Sequence, residues 1–199
     1  MEEKEINEQE SLEIISQMIQ SAKVALSNDG IFYLLWGFAV FIAAIAQFIM
    51  LQIGISNDGL VWPVVTVAAG IASAFVGRRR AHKIRVKTFV EEAIDYTWMA
   101  FGISLFIVLV FGYRNMNWES VYPMMMILYG IGTFISGGAL RFRPLKAGGL
   151  FCWACAVAAF FVPFLYQLLI ISAAVLFGFI IPGFMLRSRY KREAALSIS

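Results

Sequence analysis

Cys152-Trp153-Ala154-Cys155 is the stretch whose spacing bears most directly on chemistry. Two thiols separated by two residues suit thiol–disulfide exchange with a membrane quinone, or capture of a soft metal ion. The sequence argues against both. Its 2 cysteines leave no second pair to relay electrons. On the threading derived below, the pair lies just inside a cytoplasmic boundary, where thiols stay reduced. Free cysteine behaves as a small hydrophobe, and Ala154 and Ala158 on the same helix point to close packing.

His82 is the sole histidine and is surrounded by Arg80, Lys83 and Arg85. A metal site needs several donors, and a cationic neighbourhood repels metal ions, so His82 reads as a loop residue. Ser73, Ser104, Ser136 and Ser172 lie in apolar runs with no plausible histidine partner to activate them. Neither HExxH nor a phosphate-binding P-loop occurs. The sequence therefore assigns no catalytic, cofactor-binding or metal-ligating residue. Asp95 is the best single polar candidate, because an acid at membrane depth suggests proton coupling. Its position at the start of an apolar run, close to Glu91 and Glu92, predicts instead an interfacial carboxylate that reaches water. Gln47, Thr66 and Thr133 suit a polar path, and interhelical hydrogen bonding accounts for them equally well.

The elements that must position these residues follow from composition. The 199-residue chain is 60% hydrophobic and 15% charged, with a mean hydropathy of +0.76. Soluble domains carry about 45–50% apolar and about 25% charged residues, so the bilayer is the natural solvent here. Six apolar runs stand out: Ile31–Ile53, Leu60–Gly77, Asp95–Tyr113, Val121–Leu140, Ala147–Tyr166 and Leu168–Leu186. Each approaches the length a helix needs to cross a hydrocarbon core of about 30 Å, and helices satisfy their own backbone in lipid. The N-terminus MEEKEINEQE is acidic and lacks the apolar core of a cleavable signal peptide.

Lysines and arginines concentrate in alternate connections, at Arg78–Lys87, at Arg141, Arg143 and Lys146, and in the tail from Arg187. That asymmetry predicts an integral inner-membrane protein with both termini cytoplasmic. Trp62, Tyr113, Trp118, Tyr122 and Tyr166 then mark the outer boundary, and Trp36, Tyr96, Trp98 and Trp153 the inner one. Pro144 is expected to keep Arg143 out of helical geometry and close a short turn. Small residues at four-residue spacing predict close helix packing: Ala39 with Ala43; Ala69, Ser73 and Gly77; Gly132 with Ser136; Ala154 with Ala158. A homo-oligomer interface is a second use for any such stripe.

Val61-Trp62-Pro63 precedes Gly70-Ile71 at the spacing by which Val121-Tyr122-Pro123 precedes Gly130-Ile131. Gly132, Gly137 and LRFR from Leu140 likewise match Gly178, Gly183 and LRSR from Leu186. These matches suggest three parallel helical hairpins, as in transporters built from repeats. Convergence on residues that suit any membrane helix is the competing explanation. GIGTFISGGALRFRPLKAGG, with Trp36-Gly37 in the first helix and IIPGFMLRSR in the last, resembles a family of bacterial six-helix inner-membrane proteins of about 200 residues. The resemblance covers most of the chain and implies no activity, cofactor or site residue.

Ahead of the spans, Leu12, Ile15, Ile19, Ala22 and Leu26 follow helical spacing, with Asn7 and Glu10 as a capping box and Gly30 as a stop. This predicts an amphipathic cytoplasmic helix rich in glutamate. Helices that lie on anionic lipid are normally basic, so its apolar stripe (Leu12, Ile15, Ile19, Leu26) favours a protein partner. No nucleic-acid reader is evident. The expected organisation is all-α: a helix over 1–29, a six-helix bundle over 30–187 and a basic tail over 188–199. The favoured function is a non-enzymatic regulatory, scaffold or partner-binding protein, and the second is a small transporter or channel with a path between repeat hairpins.

Overall fold

The computed structural model describes residues 29–55, 57–81, 89–115 and 118–196, in which every regular element is helical. α1 (Asp29–Gln52) leads through a 3-10 turn (Asp58–Leu60) into α2 (Val61–Ala81). α3 (Phe89–Asn115), α4 (Trp118–Ala139) and α5 (Arg143–Ala159) follow. α6 (Phe164–Val175), a π turn (Leu176–Ile180) and α7 (Ile181–Leu196) run on without a break. The N-terminal segment with Leu12, Ile15, Ile19 and Leu26 lies outside the described residues, as do His82, Lys83, Arg85 and Lys87.

Among the described residues five stretches are long and apolar enough to cross a bilayer: Gly30–Gln52, Asp58–Arg79, Phe89–Asn115, Trp118–Ala139 and Phe164–Arg189. The run expected over Ala147–Tyr166 is shorter than the sequence suggests. Its helix, α5, has 17 residues and opens on Arg143 and Lys146. The apolar part from Ala147 onward covers about 20 Å, against a hydrocarbon core of about 30 Å. The chain then turns ahead of Pro163 and restarts at Phe164. Gln167 secures the break by donating from Nε2 to the Ala159 carbonyl at 3.0 Å. At the other end of the chain α7 continues to Leu196, so the expected tail is largely helical.

Two helix ends share one hydrogen-bond pattern with different residues in the left-handed position. After α1, Ile55 N–H donates to Met50 O at 2.9 Å and Gly54 takes φ 78°. After α4, Phe142 N–H donates to Gly137 O at 2.9 Å and Arg141 N–H to Gly138 O at 3.1 Å, with Arg141 at φ 50°. Both are Schellman turns, and only the first uses the residue that adopts this backbone without steric cost. Arg143 departs from expectation: it begins α5, while Phe142 is the extended residue before the helix. Proline in a first helical turn removes no intrahelical bond, which lets Arg143 join. Pro182 explains the π turn, because it lacks the N–H that would bond the Gly178 carbonyl one turn back.

α4 is the hub of the bundle. It packs closely on α5 and also on α3 and α6, while α1 packs on α2, α6 and α7. The closest approaches are glycine-mediated. A Cβ on Gly148 of α5 would come within 2.8 Å of Gly178 Cα, and one on Gly149 within 2.9 Å of Gly130 O. Of the expected small-residue stripes, Gly132 and Ser136 are buried and Ala43 and Ala69 partly carry theirs. Ala154 and Ala158 are exposed; the packing face of α5 is Gly148, Gly149, Cys152, Cys155, Ala156 and Ala159. α2 and α3 stand apart from this core. Among the described residues the backbone of α2 comes closest to α1 and its leading turn and that of α3 to α4. Beyond these they reach the core through single rings, Trp62 against Tyr122 and Trp98 against Tyr33 and Phe179.

Candidate functional site

The separation of α2 from α3 leaves a cavity of about 1480 Å³, walled by α1 to α4 and closed behind by Phe164 of α6 and Phe179 of the π turn. The sequence dictates its character. Four of the 5 tryptophans line it, Trp36, Trp62, Trp98 and Trp118, together with Tyr122 and Tyr129. Rings on neighbouring helices interlock along the back wall. Phe101 stacks on Tyr129 at 5.5 Å, Tyr129 meets Phe179 edge-on at 5.4 Å, and Trp98 meets Phe179 at 6.0 Å. Such pairs contribute about 0.5–1.5 kcal/mol each beyond their buried area, so this wall is stiff.

At one end the aromatic lining gathers around a single amide. Gln47 on α1 is 4% exposed. Its Oε1 accepts from Trp62 Nε1–H on α2 and from the Tyr122 hydroxyl on α4, both at 2.6 Å. Its Nε2–H donates to Asp58 Oδ2 in the 3-10 turn, also at 2.6 Å. The amide has one orientation that satisfies all three, because indole N–H only donates and carboxylate only accepts. α1, the start of α2 with its leading turn, and the distant α4 are thus tied at one point. Trp62 and Tyr122 pack at 5.7 Å, and Phe164 joins Tyr122 at 5.3 Å.

Asp95 lines the opposite end of the cavity with Ile94 and Phe32. It does not open its helix, since α3 starts at Phe89, and it lies in the second turn with an exposed side chain. Gln47 and Thr66 line the cavity. Thr133 is instead buried in the core, its hydroxyl donating back to Tyr129 O at 2.7 Å, the local bonding that serine and threonine use inside helices. Cys152 and Cys155 are buried and unbridged on the far side of α4. Cys152 Sγ–H points to Ala174 O at 3.5 Å, and its sulfur is the nearest atom to the space a Cβ on Gly178 would take. Among the described residues no group of three or more His, Cys, Asp and Glu is placed to hold a metal ion.

Asp58, Glu119 and the aromatic wall were not legible as a site in the sequence. One signal pointed there: the two Val-aromatic-Pro motifs supply Trp62 and Tyr122, the two donors that converge on Gln47. No protein-family model, curated protein or solved structure matches this chain.

Proposed function

We propose that this chain is a multi-pass membrane protein that admits a mostly apolar small molecule between its first two helical hairpins, acting as a small transporter or carrier. The observation that carries the reading is the cavity of about 1480 Å³ between α1 and α4. A partly open cavity of this size forfeits helix-to-helix dispersion contacts along its walls, which a protein used only as an anchor or scaffold would gain by closing it. Ligand pockets are typically about 300–1,000 Å³, apolar, with a few convergent polar groups, and the Gln47 node supplies such a group. This ranks transport above the partner-binding role, whose surface is the N-terminal stripe.

The threading that accompanies the proposal has both termini on the cytoplasmic side of the inner membrane, with α5 as a short sixth span. Arg141, Arg143 and Lys146, with the basic residues from Arg187, give the charge bias for that orientation. On this reading the first two hairpins are related halves of a repeat, and their equivalent aromatic donors meet at Gln47. The matched glycines have unlike surroundings: a Cβ on Gly70 or Gly77 meets nothing within 4 Å, whereas one on Gly137 meets the Lys146 backbone at 2.6 Å. The repeat, if ancestral, has kept its cavity-facing chemistry and lost its packing symmetry.

The uncharged probe N-phenyl-1-naphthylamine tests the binding reading. Four cavity tryptophans should transfer excitation to it saturably in the full-length chain in nonionic detergent. Gly102 lines the cavity and a Cβ there meets nothing within 4 Å, so Gly102→Phe adds bulk at the cavity wall from a position open at Cβ. That variant should weaken saturable transfer. Transfer that never saturates, or that ignores Gly102→Phe, would remove the proposal.

A further inference from the structure

We infer that the occupant of this cavity is a lipophilic organic cation, an apolar body carrying one positive charge, seated with that charge at the Asp58 end. This rests on the binding reading above and names the class of molecule it takes.

Charge is the first observation. The chain as a whole is basic, with a formal net charge of +3. The described residues lining the cavity reverse that sign: Asp58, Asp95 and Glu119 are present, with no lysine, arginine or histidine. The second is the surface between these carboxylates. Tryptophan and tyrosine faces carry negative quadrupole potential and attract a cation within about 6 Å, most strongly where water is excluded. Trp62 and Tyr122 meet Asp58 through the Gln47 amide, and Trp118 and Glu119, consecutive at the start of α4, both line the cavity, so both kinds of attraction coincide at one end.

The third observation separates this inference from a simpler explanation. Asp58 and Glu119 fall in first helical turns, where the helix dipole alone favours an acid. The dipole does not account for Gln47. That residue sits on another helix, is buried, and donates its amide N–H to Asp58 Oδ2 at 2.6 Å while its amide oxygen accepts from an indole and a phenol. An amide orients a carboxylate without neutralising it, so the negative charge stays available at the edge of a low-dielectric cavity. The tie among α1, α2 and α4 would serve equally with a neutral acceptor in place of Asp58; the carboxylate adds a charge that attracts a cationic guest and repels an anionic one.

Two probes of matched shape and opposite charge decide the matter: tetraphenylphosphonium and tetraphenylborate, titrated against tryptophan fluorescence of the full-length chain in nonionic detergent. Comparing each ion between wild type and variant cancels its partition into the micelle. Asp58→Asn should weaken tetraphenylphosphonium about tenfold, the loss of one close cation–carboxylate contact, and leave tetraphenylborate unchanged or tighter. Glu119→Gln should act in the same direction, and it reports independently should Asp58→Asn fold poorly. Equal response to both ions, with neither variant altering it, overturns the cation assignment. N-phenyl-1-naphthylamine separates the two levels: if it binds saturably while tetraphenylphosphonium does not, only the cation class fails. If none of the three binds, the binding reading itself fails.

Discussion

Replacing Gln47 by leucine removes the node that ties α1, α2 and α4 together while nearly conserving volume. Three bonds of 2.6 Å are lost. Interhelical hydrogen bonds in membrane proteins average about 0.6 kcal/mol, and charge-assisted ones are roughly twice as strong, so the direct loss is about 2–3 kcal/mol. Much of it is the Tyr122 hydroxyl, 3% exposed, left without its acceptor. Tyr122→Phe alone should cost about 1 kcal/mol, since Gln47 keeps its bonds to Trp62 and Asp58. The double variant should then be less destabilised than the sum by about 0.5–1 kcal/mol, the coupling expected for residues in one network. Unfolding in mixed micelles at rising mole fraction of dodecyl sulfate, followed by circular dichroism, measures all four proteins. Additivity within about 0.3 kcal/mol, or a Gln47→Leu cost under about 0.5 kcal/mol, would refute the node as drawn.

The glycines predict changes of opposite sign in the same assay. Gly148→Ala pushes a Cβ to within 2.8 Å of backbone and should destabilise by about 1–2 kcal/mol, whereas Gly70→Ala meets open space and should stabilise by about 0.5–1 kcal/mol. At the α4–α5 turn, Arg141→Gly relieves a side chain held at φ 50° and should stabilise by about 0.5–1 kcal/mol, read as a shift of the unfolding midpoint. For the threading, Cys152 and Cys155 are replaced and single cysteines placed at Asn57 and Ser188. An impermeant thiol reagent outside intact cells should label the first and spare the second; the reverse pattern overturns the orientation.

The apolar runs and the alternation of basic connections determined the elements before any coordinates, because each span must satisfy its own backbone in lipid and that requirement is local. The ends of α1 and α4 were legible for the same reason: Gly54 and the Leu140–Pro144 stretch act within a few residues of themselves. Local reasoning also had its failures. α5 read as a full span because composition does not reveal where Gln167 ends it. Asp95 read as a helix start because α3 begins in a stretch too polar to look like a span. Beyond the two Val-aromatic-Pro motifs and the polar residues Gln47 and Thr66, the site belonged to the tertiary level. Gln47 and Tyr122 are 75 residues apart and meet only because α1 and α4 both face the cavity. In a chain rich in Trp, Tyr and Phe, which rings form a wall and which face lipid depends on helix rotation and neighbours, and hydropathy is nearly the same for either outcome.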